Sequence, residues 1–338
     1  MQRRNLGSTG ISVSSYALGT MMLGAWGNRD HDACVRIVQD ALAAGINLVD
    51  TADMYSDGET EEVLGRALKG RRDDVVVATK FRHPMGEDPN HSGASRRWIV
   101  QAVEGSLRRL GTDWIDLYQV HRPDPATDID ETLSALSDLV RSGKVRAIGT
   151  STFPPDRMVE ARWVSERRGH VYFHTEQPQY SMLSRGVEAD VLPVARRYGM
   201  GVLTWGPLGA GWLSDRDVTR GAVRAGLEPQ KFDMSVPDNI CKAETVGRLR
   251  KVAAEAGLPL AHMAVAFARA HPAVTSVIIG PRTPEQLADL LAGADVQLDE
   301  AVLDRIDEIV PPGIDVNRAG SYYVRSAVSD PSSRRRSS

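Results

Sequence analysis

The stretch Gly45-Ile46-Asn47-Leu48-Val49-Asp50-Thr51-Ala52-Asp53-Met54-Tyr55 indicates both how the chain folds and where its chemistry lies. Ile46, Leu48 and Val49 form a short apolar run, which is typical of a strand buried on both faces. The strand ends in an acid, Asp50, and a polar loop then leads to the phenol of Tyr55. An acid at such a strand end either caps the next element or belongs to a site.

Two later stretches repeat this design. Asp74-Val75-Val76-Val77-Ala78-Thr79-Lys80 and Trp114-Ile115-Asp116-Leu117-Tyr118-Gln119-Val120-His121 are mainly apolar runs that each end in an ionisable side chain. Parallel strands present their carboxyl ends on the same side of a sheet or barrel, and sites are built there. The three strand ends therefore predict a site that joins Asp50, Lys80 and His121 with Tyr55.

Short apolar runs alternate with helical patterns along most of the chain, which favours parallel strands with crossover helices. Eight such units match a (β/α)8 TIM barrel better than an open sheet, which more often has about five or six strands and a second domain. The predicted strands are 16–20, 46–50, 75–79, 114–120, 145–150, 172–176, 200–204 and 274–279. The predicted helices are 31–44, 59–69, 95–110, 128–142, 155–168, 186–198, 239–256 and 284–292.

Several segments stand outside this alternation. Residues 2–14 predict an N-terminal β-hairpin, and we expect extra C-terminal helices, one of them at 258–271 before the last strand. The long polar loops 81–94 and 213–238 are of a kind that often binds ligands or forms a lid. We expect a single barrel domain over residues 1–320 and a flexible C-terminal tail over 321–338.

Composition narrows the function classes. The chain has 338 residues, is 42% hydrophobic and 25% charged, and carries a net charge of -3, which indicates neither nucleic acid nor a membrane surface as partner. Its two cysteines, Cys34 and Cys241, favour a reducing compartment, and we expect a cytoplasmic protein. The histidines show no spacing suited to a metal, so no metal site is predicted. The oligomeric state cannot be read from the sequence.

The four residues suit proton transfer to a carbonyl oxygen. A phenol has an ordinary pKa near ~10, and an adjacent ammonium such as Lys80 favours the phenolate and lowers that pKa. Asp50 would hold Lys80 in place, while His121 would either donate a hydrogen bond to a substrate oxygen or relay a proton to Tyr55. No protein side chain supplies a hydride, so reduction needs a cofactor.

Here the sequence resembles the aldo-keto reductases. Asp50-Thr51-Ala52-Asp53-Met54-Tyr55, Ala78-Thr79-Lys80 and Tyr118-Gln119-Val120-His121-Arg122 are similar to signature segments of that family, and the likeness runs from about residue 3 to residue 310. The resemblance implies a TIM barrel, NADPH as the usual cofactor with NADH as the alternative, and Tyr55 as the acid-base residue. It gives Asp50, Lys80 and His121 supporting roles.

The resemblance also implies cofactor contacts. Ser151 and Gln177 match positions that contact the nicotinamide carboxamide, and Trp205 matches the aromatic residue that stacks on the nicotinamide face; packing in the core is the alternative for Trp205. The resemblance also implies that Asp50 and the end of the first strand, with Gly19, Thr20 and Met21, contact the cofactor.

The phosphates are expected at two further segments. The run Gly206, Pro207, Leu208, Gly209 and Ala210 would let backbone amides approach a pyrophosphate. A turn before a helix, with Gly280, Arg282 and Gln286, suits an adenosine phosphate, and Arg282 would contact a 2′-phosphate unless it is an ordinary surface charge. Two positions depart from the family pattern: Gly206 replaces a common Ser, and Leu290 replaces a common Asn.

The leading interpretation is NADPH-dependent reduction of an aldehyde or ketone, with Trp26, Tyr55 and Phe81 lining the substrate pocket. Likeness of residues 90–99 to bacterial members offers sugar-derived carbonyls as a candidate substrate class. One alternative is a non-catalytic or slow nucleotide-sensing barrel. Another is an aldolase-like barrel in which Lys80 forms a Schiff base, which pairing with Asp50 disfavours.

Overall fold

A computed structural model of the chain describes residues 1–214, 226 and 228–317. A two-stranded antiparallel sheet, β1 (Arg3–Asn5) and β2 (Ser12–Ser14), precedes a closed barrel of parallel strands. In chain order the barrel strands are β3 (Tyr16–Gly19), β4 (Leu48–Asp50), β5 (Val76–Phe81), β6 (Ile115–Val120), β7 (Val145–Ser151), β8 (Thr175–Gln177), β9 (Gly201–Thr204) and β10 (Val274–Ile279), and β10 pairs with β3 to close the circle. This confirms the predicted TIM barrel and its N-terminal hairpin.

Helices surround the barrel. Those described are α1 (His31–Ala43), α2 (Glu59–Ala67), α3 (Arg96–Leu110), α4 (Ile129–Arg141), α5 (Pro155–Arg168), α6 (Val191–Arg197), α7 (Pro237–Glu255), α8 (Leu260–Ala270), α9 (Pro284–Ala292) and α10 (Glu300–Ile309). Side-chain caps begin several of them: Asp30 accepts from the amide of Ala33, and Ser95 accepts from that of Trp98. None of these helices is long and apolar enough to cross a membrane.

The interior of the barrel is filled by a separate apolar cluster, here called the inner cluster. Leu6 and Val13 of the hairpin contribute to it from below, so the hairpin closes the amino-terminal end of the barrel. The other buried members come from the strands and are Ala17, Leu48, Ala78, Leu117, Ala147, Leu203 and Ile278. The barrel is therefore a packed core rather than a pore.

Alternation along the strands places polar side chains directly above this cluster. Successive side chains of a strand point to opposite faces, so the second residue after an inward-facing one also faces inward. Leu48 is followed in this way by Asp50, and Ala78 by Lys80. The acid and the base found at the strand ends thus enter the top of the barrel interior.

Three predicted elements need correction. The strand predicted at 172–176 spans only Thr175–Gln177. The predicted helix 186–198 is divided into a 3-10 turn (Gly186–Ala189) and α6, because Asp190 departs from helical geometry and caps the amide of Val191. The strand at 46–50 begins only at Leu48, since Ile46 bonds back to helix α1 and the Asn47 side chain bonds to the hairpin. The extra helix at 258–271 is confirmed as α8, whereas no bounds were predicted for α10. Residues 215–225 and 227 of the 213–238 loop and the whole 321–338 tail lie outside the described residues, while the described end of the loop contains a 3-10 turn (Pro229–Lys231) and the start of α7.

Two helical glycines give opposite predictions for stability. A Cβ on Gly65 in α2 would lie 2.7 Å from the carbonyl oxygen of Leu110 in α3, whereas a Cβ on Gly247 in α7 would meet nothing within 4 Å. We expect Gly247→Ala to raise the free energy of unfolding by about 0.5–1 kcal/mol through helix propensity. We expect Gly65→Ala to lower it by about 1–3 kcal/mol because α2 must move away from α3. Denaturant titration of both variants checks this, and equal shifts would contradict the packing argument.

Candidate active site

A buried ion pair lies at the centre of the barrel mouth. The Lys80 side chain is fully buried, and its Nζ lies 2.6 Å from Oδ1 of Asp50. The same ammonium donates to the carbonyl oxygen of Thr51 at 2.7 Å and reaches the hydroxyl of Tyr55 at 3.4 Å. These three acceptors use all three protons of the ammonium. Lys80 is therefore held as a cation whose third donor points at the phenol.

The second oxygen of Asp50 is held by two amides. Gln177 donates to Oδ2 at 2.7 Å and Gln119 lies 3.4 Å from the same atom. Thr20 donates to the backbone carbonyl of Asp50 through both its amide and its hydroxyl, at 3.0 Å each. The carboxylate thus joins side chains from several strands into one network.

Tyr55 is placed by a tight turn after β4. Its neighbours Ser56 and Asp57 both have left-handed backbone geometry, with φ of 49° and 56°. Such conformations are costly for residues other than glycine and are characteristic of functional sites. The Ser56 hydroxyl accepts a hydrogen bond from the amide of Trp26, whose ring lies 6.0 Å from that of Tyr55. The turn therefore presents the phenol beside an aromatic wall.

The electrostatics correct one sequence-based expectation. Burial raises the pKa of Tyr55, and although the positive charge of Lys80 lowers it, the net pKa of the phenol lies above its ordinary value. Burial by itself lowers the pKa of Lys80, but the charge and hydrogen bond of Asp50 outweigh it and the net pKa is raised. At neutral pH the pair is a neutral phenol and a charged ammonium.

His121 completes the group. Its ring lies 5.8 Å from that of Tyr55 in an edge-on arrangement, and on the other side it lies 4.6 Å from the ring of His83. Burial, and then the nearby charge of Lys80, holds the pKa of His121 well below its usual range. The imidazole is neutral, so it can donate one N–H hydrogen bond but does not carry a positive charge.

A second buried acid supports the loop from behind. Asp53 is fully buried, its amide donates to the carbonyl of Lys80, and burial, then the charge of Glu61, raises the pKa of Asp53 well above its ordinary value. Glu61 is held by the hydroxyl of Thr79 at 2.6 Å and by Arg109 at 2.8 Å. This network links β4, α2, β5 and α3 beneath the mouth.

The residues expected to hold a nicotinamide lie at the same end of the barrel. Ser151 ends β7 and donates to the backbone carbonyl of Gln177 at 2.9 Å, while the Gln177 amide reaches Asp50. Trp205 follows β9 and packs against the inner cluster. Its neighbour Gly206 has φ of 70°, a left-handed conformation, which gives a physical reason for glycine where serine is common.

The run that follows continues this unusual backbone. Gly209, Ala210 and Gly211 all have positive φ, of 55°, 61° and 103°. Leu208, with φ of -90°, and Gly209 form a right-handed residue followed by a left-handed one, the arrangement of successive amides that makes a concave nest for anions. Pro207 and Leu208 connect this segment to Trp205 at the mouth.

The segment expected to hold the adenosine phosphate lies between β10 and α9. The amide of Arg282 donates to the side chain of Gln286 at 3.0 Å, and the Asn28 side chain donates to the Arg282 carbonyl at 2.9 Å. Thr283 caps α9, and Gly280 has open space where a Cβ would be. No bond among the described residues joins this turn directly to the catalytic group.

The end of β3 lies between these two regions. Gly19 pairs with Asp50, and a Cβ on it would lie 2.6 Å from the side chain of Ile278 on β10. A larger residue at position 19 would therefore require the Ile278 side chain to shift. Met21, two residues on, is half-buried.

Sequence reasoning misplaced one residue and missed others. Phe81, expected to line the pocket, is fully buried and stacks on Tyr118 at 4.8 Å, because alternation turns it outward when Lys80 faces inward. Gln119 and His83 were not predicted as site residues. The period of two along β6, which runs inward from Leu117 to Gln119, was a signal for the first. Only the fold brings His83 beside His121.

The chain is similar to a known protein family and to several of its members. Residues 16–311 match the model described as the aldo/keto reductase family. A Bacillus subtilis protein named "uncharacterized oxidoreductase YrpG" is 39% identical over 93% of this chain and 97% of its own length. The "aldo-keto reductase YhdN" of the same organism is 36% identical over 86% of this chain and 88% of its own. A rice protein named "probable voltage-gated potassium channel subunit beta" is 35% identical over 92% of this chain and 97% of its own.

The buried ion pair predicts strong coupling in stability. Asp50→Asn or Lys80→Met leaves the remaining partner buried without its counter-charge, so each is expected to cost about 3–5 kcal/mol. The double variant is expected to cost clearly less than the sum of the two, because no lone charge remains. As a control, Glu160→Gln removes the exposed Arg157 pair and is expected to cost less than about 1 kcal/mol. Additive losses in denaturant titration would contradict the coupling.

Glu176 predicts a pH dependence of stability. Burial raises the pKa of Glu176 to about 7 in spite of hydrogen bonds from Thr150 and Phe153. The unfolded chain loses this proton first, near the ordinary glutamate pKa of 4.5, so the free energy of unfolding falls as pH rises from there to about 7, by about 1.4 kcal/mol per pH unit. Glu176→Gln is expected to remove this slope. Unfolding free energies at pH 5 and pH 8 check it, and parallel profiles for both proteins would contradict it.

Proposed function

The chain belongs to the aldo/keto reductase family, and on that premise we propose that it reduces an aldehyde or ketone to the alcohol with NADPH as hydride donor. The observation that carries the proposal is the contact between the Tyr55 hydroxyl and the Lys80 ammonium, beside a neutral His121. The family assignment makes the protein an oxidoreductase of small molecules. The carbonyl substrate, the cofactor and the role of Tyr55 are the proposal.

The proton chemistry follows from the charges of the group. The raised pKa of Tyr55 keeps its proton on the phenol until a carbonyl oxygen gains negative charge. Lys80 then stabilises the phenolate that is left, and Asp50 holds Lys80 in position. The N–H of His121 supports the substrate oxygen. Each side chain has a role that is compatible with its charge state at neutral pH.

The binding residues fit a nicotinamide cofactor, which when bound supplies the hydride. Ser151, Gln177 and Trp205 are at the barrel end that carries the acid, so a ring held by them would lie beside Tyr55. The positive-φ run after Gly206 suits a pyrophosphate. Arg282 at the turn before α9 would bind a 2′-phosphate, which favours NADPH over NADH.

Leu290 modifies the adenine end of the proposed site. Its side chain is only 6% exposed and belongs to the main apolar core, so it contributes packing rather than a polar contact. The neighbouring Asp289 is largely exposed and pairs with His262 at 3.3 Å. The preference for the phosphorylated cofactor then depends on Arg282 more than on the adenine.

A regulatory role is the second candidate, because the rice relative is named as a potassium channel subunit. Such a protein would bind nucleotide and turn over slowly or not at all. The complete set of Asp50, Tyr55, Lys80 and His121 favours catalysis. A Schiff-base role for Lys80 is disfavoured because its pKa is raised, so the amine is not the free base that a nucleophile requires.

We expect Tyr55→Phe to lower kcat for aldehyde reduction by about 10²–10⁴-fold, the usual contribution of a general acid. The affinity for NADPH is expected to stay near wild type, because the lost hydroxyl faces the substrate. The rate at which NADPH absorbance decreases with a panel of small aldehydes gives kcat. Fluorescence titration gives the affinity for NADPH. Tyr198→Phe, at the end of α6 away from the mouth, is the matched control.

Three results would separate the candidates. If Tyr55→Phe lowers NADPH affinity by as large a factor as it lowers kcat, Tyr55 does not have the role of proton donor proposed here. Tight NADPH binding without turnover of any carbonyl would favour the regulatory role. A borohydride-trapped adduct on Lys80 would favour an aldolase.

A further inference from the structure

Three basic side chains follow the catalytic strand ends. Arg82 and His83 come directly after β5, which carries Lys80, and Arg122 comes directly after His121. All three are half-buried rather than solvated. They are here called the basic rim, and the reduction chemistry described above uses none of them.

Arg82 is held in a costly conformation. Its φ is 113°, in the region that favours glycine, and its carbonyl accepts a hydrogen bond from the amide of Gly93 at 2.8 Å. Its Nε is buried and has no hydrogen-bond partner among the residues the structure describes. Strain of this kind persists where the surrounding structure enforces it, and it is concentrated at ligand sites. The strained residue thus follows directly after the strand that carries Lys80, and its side chain keeps a buried donor without an acceptor among the described residues.

His83 extends the rim to the catalytic group. Its ring stands nearly perpendicular to that of His121 with centroids 4.6 Å apart. Burial, followed by the charges of Arg82 and Arg122, lowers the pKa of His83 to about 4. His83 is therefore a neutral hydrogen-bonding group, and the positive charge of the rim comes from the two arginines.

Arg122 faces the same space from the next strand. Its guanidinium carbon lies 5.8 Å from the ring centre of Trp205, and the group donates to the hydroxyl of Thr152. Its charge lowers the pKa of both Tyr55 and His121, although in each case it is a lesser contribution than burial. Arg122 therefore lies close enough to the catalytic group to interact with it electrostatically.

Two nearby carboxylates also interact with the charges of the rim. Burial raises the pKa of Asp124, but hydrogen bonds and the charge of Arg82 outweigh it, and the charge of Arg122 opposes the effect of burial on Glu176. Asp50 is bonded to Lys80 and Gln177, as described above. Asp124 accepts from the amide of Ala94 and the hydroxyl of Thr127, both at 2.7 Å. Glu176, whose pKa is raised to about 7, is partly protonated at neutral pH. These acids hold strands and loops through their hydrogen bonds, and the charge of Asp124 partly offsets that of the rim.

We propose that Arg82, His83 and Arg122 form an anion-binding subsite, and that the substrate is a carbonyl compound bearing a carboxylate or phosphate a few bonds from the reacting carbon. This rests on the proposed reductase function and adds a substrate class to it. Guanidinium groups bind both anions through charge-assisted hydrogen bonds. With His83 directly beside His121, a spacer of about two or three carbon atoms, near 1.5 Å per bond, brings the anion to the rim.

The test compares each anionic aldehyde with a neutral partner. Succinic semialdehyde is paired with butanal for the carboxylate, and glyceraldehyde 3-phosphate with glyceraldehyde for the phosphate. We expect kcat/KM to favour at least one anionic member, and Arg122→Gln and Arg82→Gln each to lower that anionic-to-neutral ratio by about 10- to 100-fold. Whichever pair shows the preference identifies the anion. Arg122→Lys keeps the positive charge but loses the planar guanidinium that can bind an anion through two N–H groups. Its anionic-to-neutral ratio is expected to lie between those of the wild type and Arg122→Gln.

Arg97→Gln is the matched control, because Arg97 is an exposed arginine of α3 and is expected to leave the ratio unchanged. Thermal unfolding of every variant identifies any that fail to fold. Ratios near one for both pairs in the wild type, or equal ratios in the rim variants and in Arg97→Gln, would overturn the subsite.

Failure of the reductase itself gives a different result. If no aldehyde is reduced, the neutral ones included, the proposed function fails, and the subsite is then tested by calorimetric titration of succinate and glycerol 3-phosphate. Weaker binding of either anion to Arg122→Gln than to Arg97→Gln would support the rim. Absence of binding to the wild-type protein would overturn it.

Discussion

The buried pairing of Lys80 with Asp50 is the constraint on which the rest of the site depends. A fully buried ammonium is tolerable only when each of its protons has an acceptor, and Asp50, Thr51 and Tyr55 supply the three. The acid in turn needs its second oxygen occupied, which Gln177 does from the far side of the barrel. The ion pair between Lys80 and Asp50 thus fixes the relative positions of several strands and of the Tyr55 phenol.

The same arrangement separates the charge states that the chemistry needs. Burial raises the pKa of Tyr55 and lowers that of His121, so both stay neutral, while Asp50 keeps Lys80 charged. A neutral acid beside a fixed cation is poised to give up its proton only when negative charge develops next to it. These charge states have one cause, because burial at the barrel mouth disfavours the charged form of both residues: the anionic phenolate of Tyr55 and the cationic imidazolium of His121.

The outer part of the mouth is set by backbone geometry rather than by side-chain pairing. Positive φ values at Ser56, Asp57 and Arg82 direct the chain around the site, and those at Gly206 and Ala210 shape the run proposed for phosphate. The catalytic side chains lie on or next to rigid strands. The loops with strained backbone conformations form the surfaces that would determine ligand specificity. The catalytic group and the ligand-binding loops can therefore vary independently on the same fold.

The sequence by itself determined the barrel, the hairpin and the strand ends that carry Asp50, Lys80 and His121, because periods of two and 3.6 and glycine stops are local properties of the chain. It did not determine that Phe81 turns away from the pocket, that Gln119 and Gln177 share Asp50, or that His83 meets His121. Those contacts join residues from different strands. It also predicted a lowered pKa for Tyr55, whereas the folded protein raises it. Burial decides that sign, and burial exists only once the barrel has closed and excluded water from its mouth.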